Sequence, residues 1–154
     1  MTLQHFFVSP FGRIGRQEFW LGMFAIMALT LVATQWLDPL GFAPSPDGKI
    51  RPPTLGVTIF NLALAWPTTA IMVKRFNDRD RPYWVGLVLG AAMVVLVVGN
   101  YFGLMLDPDA MSTPERALLF SCAIGFTWAL IDNGIQRGTV GPNRYGPDPI
   151  RIEA

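Results

Sequence analysis

Four apolar runs divide the chain, at residues 19–37, 55–73, 84–106 and 116–135. A nineteen-residue helix rises about 28 Å, close to the hydrocarbon thickness of a bilayer, so each run predicts one membrane-spanning helix. Trp20 and Trp36 stand at opposite ends of the first run, as interfacial aromatics do. A cleaved signal peptide is the competing reading of that run. Its apolar core would be about 7–15 residues with a small-residue cleavage site, and Leu31-Val32-Ala33 fits poorly, so a retained span is expected. Gly15 as N-cap, with Glu18 three residues on, sets the helix start near Arg16. Pro67 predicts a kink near residues 63–67 of the second span. Thr113 as N-cap, followed by Pro114, predicts the start of the fourth.

Polar segments separate the runs. Residues 1–18 are aromatic and basic, with Phe6, Phe7, Phe11 and Ile14 expected at headgroup level and Arg13 and Arg16 facing water and phosphate. Residues 38–54 form a Pro/Gly-rich loop with an Asp47-Gly48 turn signal. Residues 74–83 form a charged hairpin, KRFNDRDRPY, and residues 107–115 a polar turn. Residues 136–154 are a tail too rich in Gly and Pro for regular structure. Lys+Arg number nine in the first segment, the hairpin and the tail, against three in the other two loops when Arg116, at the edge of the second, is counted with it. Positive charge collects on the cytoplasmic side. The expected fold is therefore an all-α integral membrane four-helix bundle, one domain over residues 1–154, with both termini cytoplasmic.

Helices associate in lipid through close backbone approach and interhelical hydrogen bonds. Gly86/Gly90 and Gly99/Gly103 fall on opposite faces of the third span, as suits a helix between two neighbours. Ala117, Ser121, Gly125 and Ala129 make a small-residue seam on the fourth. Of the polar residues within the spans, Asn61, Asn100 and Asp132 stand out. Asn61 and Asn100 are expected to bond to each other as structural glue, a solute path being the sharper alternative. Asp132 calls for a cation, with Arg75, Arg81 and Arg137 as candidates, in a structural ion pair.

Composition narrows the chemistry. Charged residues are only 15% of the chain against about a quarter in soluble domains, which favours a bilayer over a large soluble core. A net charge of +1 gives no field for nucleic acid. One cysteine, Cys122, and one histidine, His5, give no disulfide and no zinc-like cluster. No nucleophile–base pair is visible, so neither catalytic residues, nor a metal, nor a cofactor is expected.

Three motifs stand out in order along the chain. They are Gly12-Arg13-Ile14-Gly15-Arg16-Gln17-Glu18-Phe19-Trp20; Lys74-Arg75-Phe76-Asn77-Asp78 with Pro82-Tyr83-Trp84; and Gly141-Pro142-Asn143-Arg144-Tyr145-Gly146-Pro147-Asp148-Pro149. In these the chain resembles the bacterial inner-membrane family known as domain of unknown function 805, over residues 6–149. The resemblance implies an inner-membrane, multi-pass protein. It places Arg13, Arg16, Trp20, Arg75, Asp78, Trp84, Asn143, Tyr145 and Gly146 on the family pattern. Asn77 stands where that family often has histidine, and Arg79-Asp80-Arg81 where it is often small and flexible.

All three motifs are expected at one membrane surface, gathering Arg13, Arg16, Arg75, Arg81 and Arg144 near Asp78, Asp132 and Asp148. Arginine's planar fork suits bidentate bonding to carboxylate or phosphate. An Arg–Asp lattice that staples the termini to the hairpin is the first reading. The second is a contact site for anionic headgroups or an acidic partner, formed by Arg13, Arg16, Trp20, Arg75, Asp78, Arg81, Trp84, Asn143, Arg144 and Tyr145. The expected function is a non-enzymatic membrane module, with membrane lipids and a protein partner or second copy as its contacts. The alternative is an oligomeric carrier or channel for a small solute or ion, using Asn61, Asn100 and Asp132.

Overall fold

A computed structural model of the chain describes residues 2–41, 50–104, 106–107 and 109–149. The Asp47-Gly48 turn and the end of the tail lie outside the described residues. Five helices follow in order: α1 (Leu3–Val8), α2 (Arg16–Leu37), α3 (Leu55–Asp78), α4 (Trp84–Tyr101) and α5 (Thr113–Gly134). No strand occurs among the described residues, where one isolated bridge pairs Asn143 with Gly146. The four longer helices are each long and apolar enough to cross a membrane.

Local chemistry sets the helix starts. Glu18 accepts from the Gly15 N–H at 2.9 Å and fixes the first turn of α2. The start of α5 differs from expectation by one residue: Ser112 is the N-cap and Thr113 is already helical. Glu115 accepts from the Ser112 N–H at 2.8 Å, which makes Ser112 the better cap. Helix α4 stops at Tyr101 rather than continuing to residue 106, and Gly103 beyond it has φ +79°. That positive φ belongs to a chain leaving the helix, so Gly99 and Gly103 are not a packing pair.

Helix α3 is the axis of the bundle. It touches each of the other helices, and half of its most apolar stretch is buried within the protein, against 6% for α2. It runs unbroken through Pro67, with the Thr68 and Thr69 hydroxyls donating to the carbonyls of Leu64 and Ala65 at 2.8 and 2.7 Å. Glycine lets its neighbours close in. A Cβ on Gly86 of α4 would meet Val73 Cγ2 at 2.6 Å and the Val73 backbone at 3.1 Å. One on Gly22 of α2 would meet Ile71 Cδ1 at 2.8 Å. Without Cβ atoms there, both flanking helices approach α3 as small-residue interfaces in lipid do. The core between them holds Phe19, Ile71, Met72, Phe76 and Leu89. Only half of the α5 seam takes part: Ala129 is buried and Gly125 faces Leu89, while Ala117 and Ser121 are exposed.

The largest departure is at residues 74–78. They form the last turn of α3 rather than a water-facing hairpin, and Lys74, Arg75 and Asp78 are each at most 1% exposed. The aromatic lead-in also differs. Residues 3–8 are helical, Phe6 and Phe7 pack against the core, and Ile14 is fully buried. Arg13 is turned inward at 7% exposure, not toward water.

Candidate functional site

A carboxylate at a helix C-terminus opposes the helix dipole, and Asp78 ends α3. Two arginines answer it. Arg13 donates to Asp78 Oδ1 through Nε at 3.0 Å and Nη2 at 2.9 Å. Arg75, one turn back on α3, donates to Asp78 Oδ2 through Nη1. The three charges are buried together, a costly arrangement unless the remaining donors are also satisfied.

They are satisfied by backbone carbonyls. Arg13 Nη1 donates to the carbonyls of Gly141 at 2.7 Å and Gly146 at 3.2 Å, and Nη2 to that of Thr139 at 2.7 Å. Arg75 Nε and Nη2 donate to the carbonyls of Asn133 and Gln136, each at 2.6 Å. The Asn133 carbonyl is one of the orphan carbonyls at the end of α5, which a cation stabilises, and Gln136 lies just beyond the C-cap. In return, Asp78 O accepts from the Thr139 N–H at 2.9 Å. Gly138 makes this approach possible, because a Cβ there would overlap the Asp78 carboxylate. Every nitrogen of both guanidinium groups thus has an acceptor within the chain.

Neighbouring residues extend the clasp. Lys74 Nζ donates to the carbonyls of His5, at 2.8 Å, and Phe6, capping α1, and lies 5.2 Å from the Phe6 ring centre. Asn77 Nδ2 donates to the Gly12 carbonyl at 3.1 Å. Asn143 Nδ2 donates to the Asn77 carbonyl and the Thr139 hydroxyl, each at 2.9 Å. Trp20 Nε1 donates to the Gly134 carbonyl at 3.1 Å.

Around this buried centre lies an exposed rim. Arg144 pairs with Asp80 at 3.0 Å and lies over the Tyr145 ring, whose hydroxyl donates to the Arg81 carbonyl at 2.9 Å. The side chains of Arg81 and Arg144 are 48% and 56% exposed. Arg16 is exposed and donates to the Ile135 carbonyl at 3.0 Å. Trp84, 56% exposed, begins α4 outside the clasp.

Asp132 pairs with Arg79 at 3.2 Å and Arg81 at 3.4 Å. Of its three expected partners only Arg81 is used. Arg75 is turned to Asp78 and the α5 carbonyls, and Arg137 contributes its carbonyl to Arg79 at 2.5 Å. Asp132 Oδ2 and both side-chain polar atoms of Asn133 have no protein partner. Asn61 and Asn100 share no hydrogen bond; each is half-buried on its own helix, and Asn61 borders an apolar hollow. Among the described residues no group of three or more potential metal ligands occurs.

Sequence reasoning missed Lys74, Asn77, Arg79, Gly138 and Thr139 as members of this network. Lys74, Asn77 and Arg79 lay inside the charged segment and were visible as charge and motif. Thr139 acts through its backbone, which no side-chain pattern announces.

Helices of membrane length, joined at one end by buried ion pairs, define a multi-pass helical membrane protein. The chain belongs to the family described as Protein of unknown function (DUF805), whose model matches residues 7–147. It is 32% identical over 152 residues to "Uncharacterized protein YiiR" of Escherichia coli K12, covering 96% of this chain and 90% of that one. It is 26% identical over 140 residues to "Inner membrane protein YhaH" of the same organism, covering 90% and 84% respectively. No solved structure matches the chain. With four candidate spans and an inner-membrane relative, the chain is a multi-pass bacterial inner-membrane protein.

Proposed function

We propose that the chain is a non-enzymatic membrane module whose clasp end lies in the cytoplasm and whose exposed basic rim holds anionic phospholipid headgroups. One observation carries this reading: the arginines divide into two populations. Arg13 and Arg75 are sealed and fully donated, so they serve the fold. Arg16, Arg81 and Arg144 are exposed, the last two in contact with Tyr145, and Trp84 is exposed at the start of α4. A solvent-exposed pair such as Arg144–Asp80 is worth about 0–1 kcal/mol, so a phosphate can replace the carboxylate at little cost. The clasp-side orientation rests on the excess of Lys+Arg in the segments that meet there. The carrier alternative draws less support, because the hollow beside Asn61 is lined mainly by apolar side chains and Asn100 does not border it.

Native mass spectrometry of the full chain released from mild detergent tests the proposal. Palmitoyl-oleoyl phosphatidylglycerol should be retained in preference to the corresponding phosphatidylcholine. Arg81→Gln with Arg144→Gln should weaken that preference several-fold while helicity stays unchanged. An undiminished preference in the folded double variant would sink the rim assignment.

A further inference from the structure

Two hollows meet on the flank of α2. The first, of about 630 Å³, lies at the clasp end between α2 and the end of α5, and Arg16, Gln17 and Gly134 border it. The second, of about 560 Å³, continues away from the clasp between α2, α3, α4 and α5, against Met27 and Leu31, Leu64, Met93 and Leu130. Trp20 and Phe24 belong to the walls of both, with rings stacked 5.5 Å apart. The two hollows adjoin at these rings, a charged mouth beside an apolar body, and form the candidate ligand groove.

The geometry points to a single occupant: we propose that this groove holds one acyl chain of an anionic phospholipid from the clasp-side leaflet, its phosphate at Arg16. Two features select it. From Trp20 to Leu31 the α2 wall rises about 17 Å, against about 15 Å for half of the bilayer's hydrocarbon core. The length therefore suits one leaflet. Charge is complementary at one end only. Arg16 is exposed there with a single donor given to Ile135, while Glu18 borders a different hollow, beside α1. The body stays apolar because Thr30 and Thr68 turn their hydroxyls to the carbonyls of Ile26 and Leu64, at 2.9 and 2.8 Å. Asn61 borders the groove far along α3 from the clasp.

This assignment rests on the headgroup reading above and adds to it a chain-binding site, which a second experiment isolates. The full-length protein in mild detergent is titrated with palmitoyl-oleoyl phosphatidylglycerol, and separately with dihexanoyl phosphatidylglycerol, which has the same headgroup on short chains. Bound lipid is counted by native mass spectrometry. In the Arg81→Gln plus Arg144→Gln background, one long-chain lipid per protein is expected, held about tenfold more tightly than the short-chain form. Met27→Trp fills the groove from a residue that is 51% exposed, and should reduce long-chain retention about tenfold without loss of helicity. Arg16→Gln should reduce retention of both lipids about tenfold. Phe120→Trp, on an exposed position of α5 away from the groove, should change neither. Equal affinity for the two lipids, or unchanged retention in folded Met27→Trp, overturns the groove while leaving the rim standing. A lipid-free dimer would mean that a second copy covers this flank. No preference for phosphatidylglycerol in the unaltered protein would remove both readings at once.

Discussion

The two ends of the bundle are held in opposite ways. At the clasp end, α3 is buried continuously from Thr68 to Asp78, and polar side chains bridge α1, α2, α3, α5 and the segment after it. At the other end, α2 meets α3 through weak contacts such as Thr54 N–H to Asp38 at 3.4 Å, and the first half of α5 is mostly exposed. The contrast shows what each environment supplies. Lipid offers little driving force for apolar contact, so helices need not close where side chains are plain hydrocarbon. Where the buried Arg13–Asp78–Arg75 charges sit, each guanidinium nitrogen has an acceptor, and those partners draw the chain into one arrangement.

Removing one charge at the clasp should have the largest effect. Asp78→Ala leaves two buried guanidinium groups facing each other and should cost about 3–5 kcal/mol, seen as loss of folded protein after detergent extraction. Near-normal melting of this variant would show that the ion pairs are dispensable. Gly90→Val tests the glycine contact of α4. A side chain there drives into Thr69, and a cost of about 1–3 kcal/mol is expected in a thermal melt. Ala117→Leu and Ser121→Leu, on the open part of the α5 seam, should each stay within about 0.5 kcal/mol. A large loss from either would mean that this stripe is covered in the membrane, and the two ends would no longer contrast.

Much of the fold was legible. The four membrane helices follow from run length, and the meeting of the three motifs at one end follows from alternation of spans. The capping pair Gly15/Glu18 was read correctly from spacing alone. What escaped was the depth of the charged residues. Lys74, Arg75 and Asp78 look like a solvated loop because burial of charge depends on partners, and most partners here are carbonyls from distant segments. Asp132 found Arg79 because α3 continues one turn further than hydropathy alone suggests. Asn61 and Asn100 failed to meet for a simpler reason. Equal depth in the bilayer does not fix which face of a helix a side chain occupies.

The partners of Arg13 also carry an order in time. Its carboxylate lies 65 residues further along the chain, and its carbonyl acceptors 126 to 133 residues further. During synthesis from the N-terminus, the arginine is made long before the groups that neutralise and bury it. Helices α2, α3 and α4 are complete while this guanidinium still lacks its carbonyl acceptors. Asp78 can neutralise the charge once α3 is made, but the guanidinium cannot be fully donated until the residues beyond α5 have followed, so the clasp is the last part of the fold that synthesis makes available.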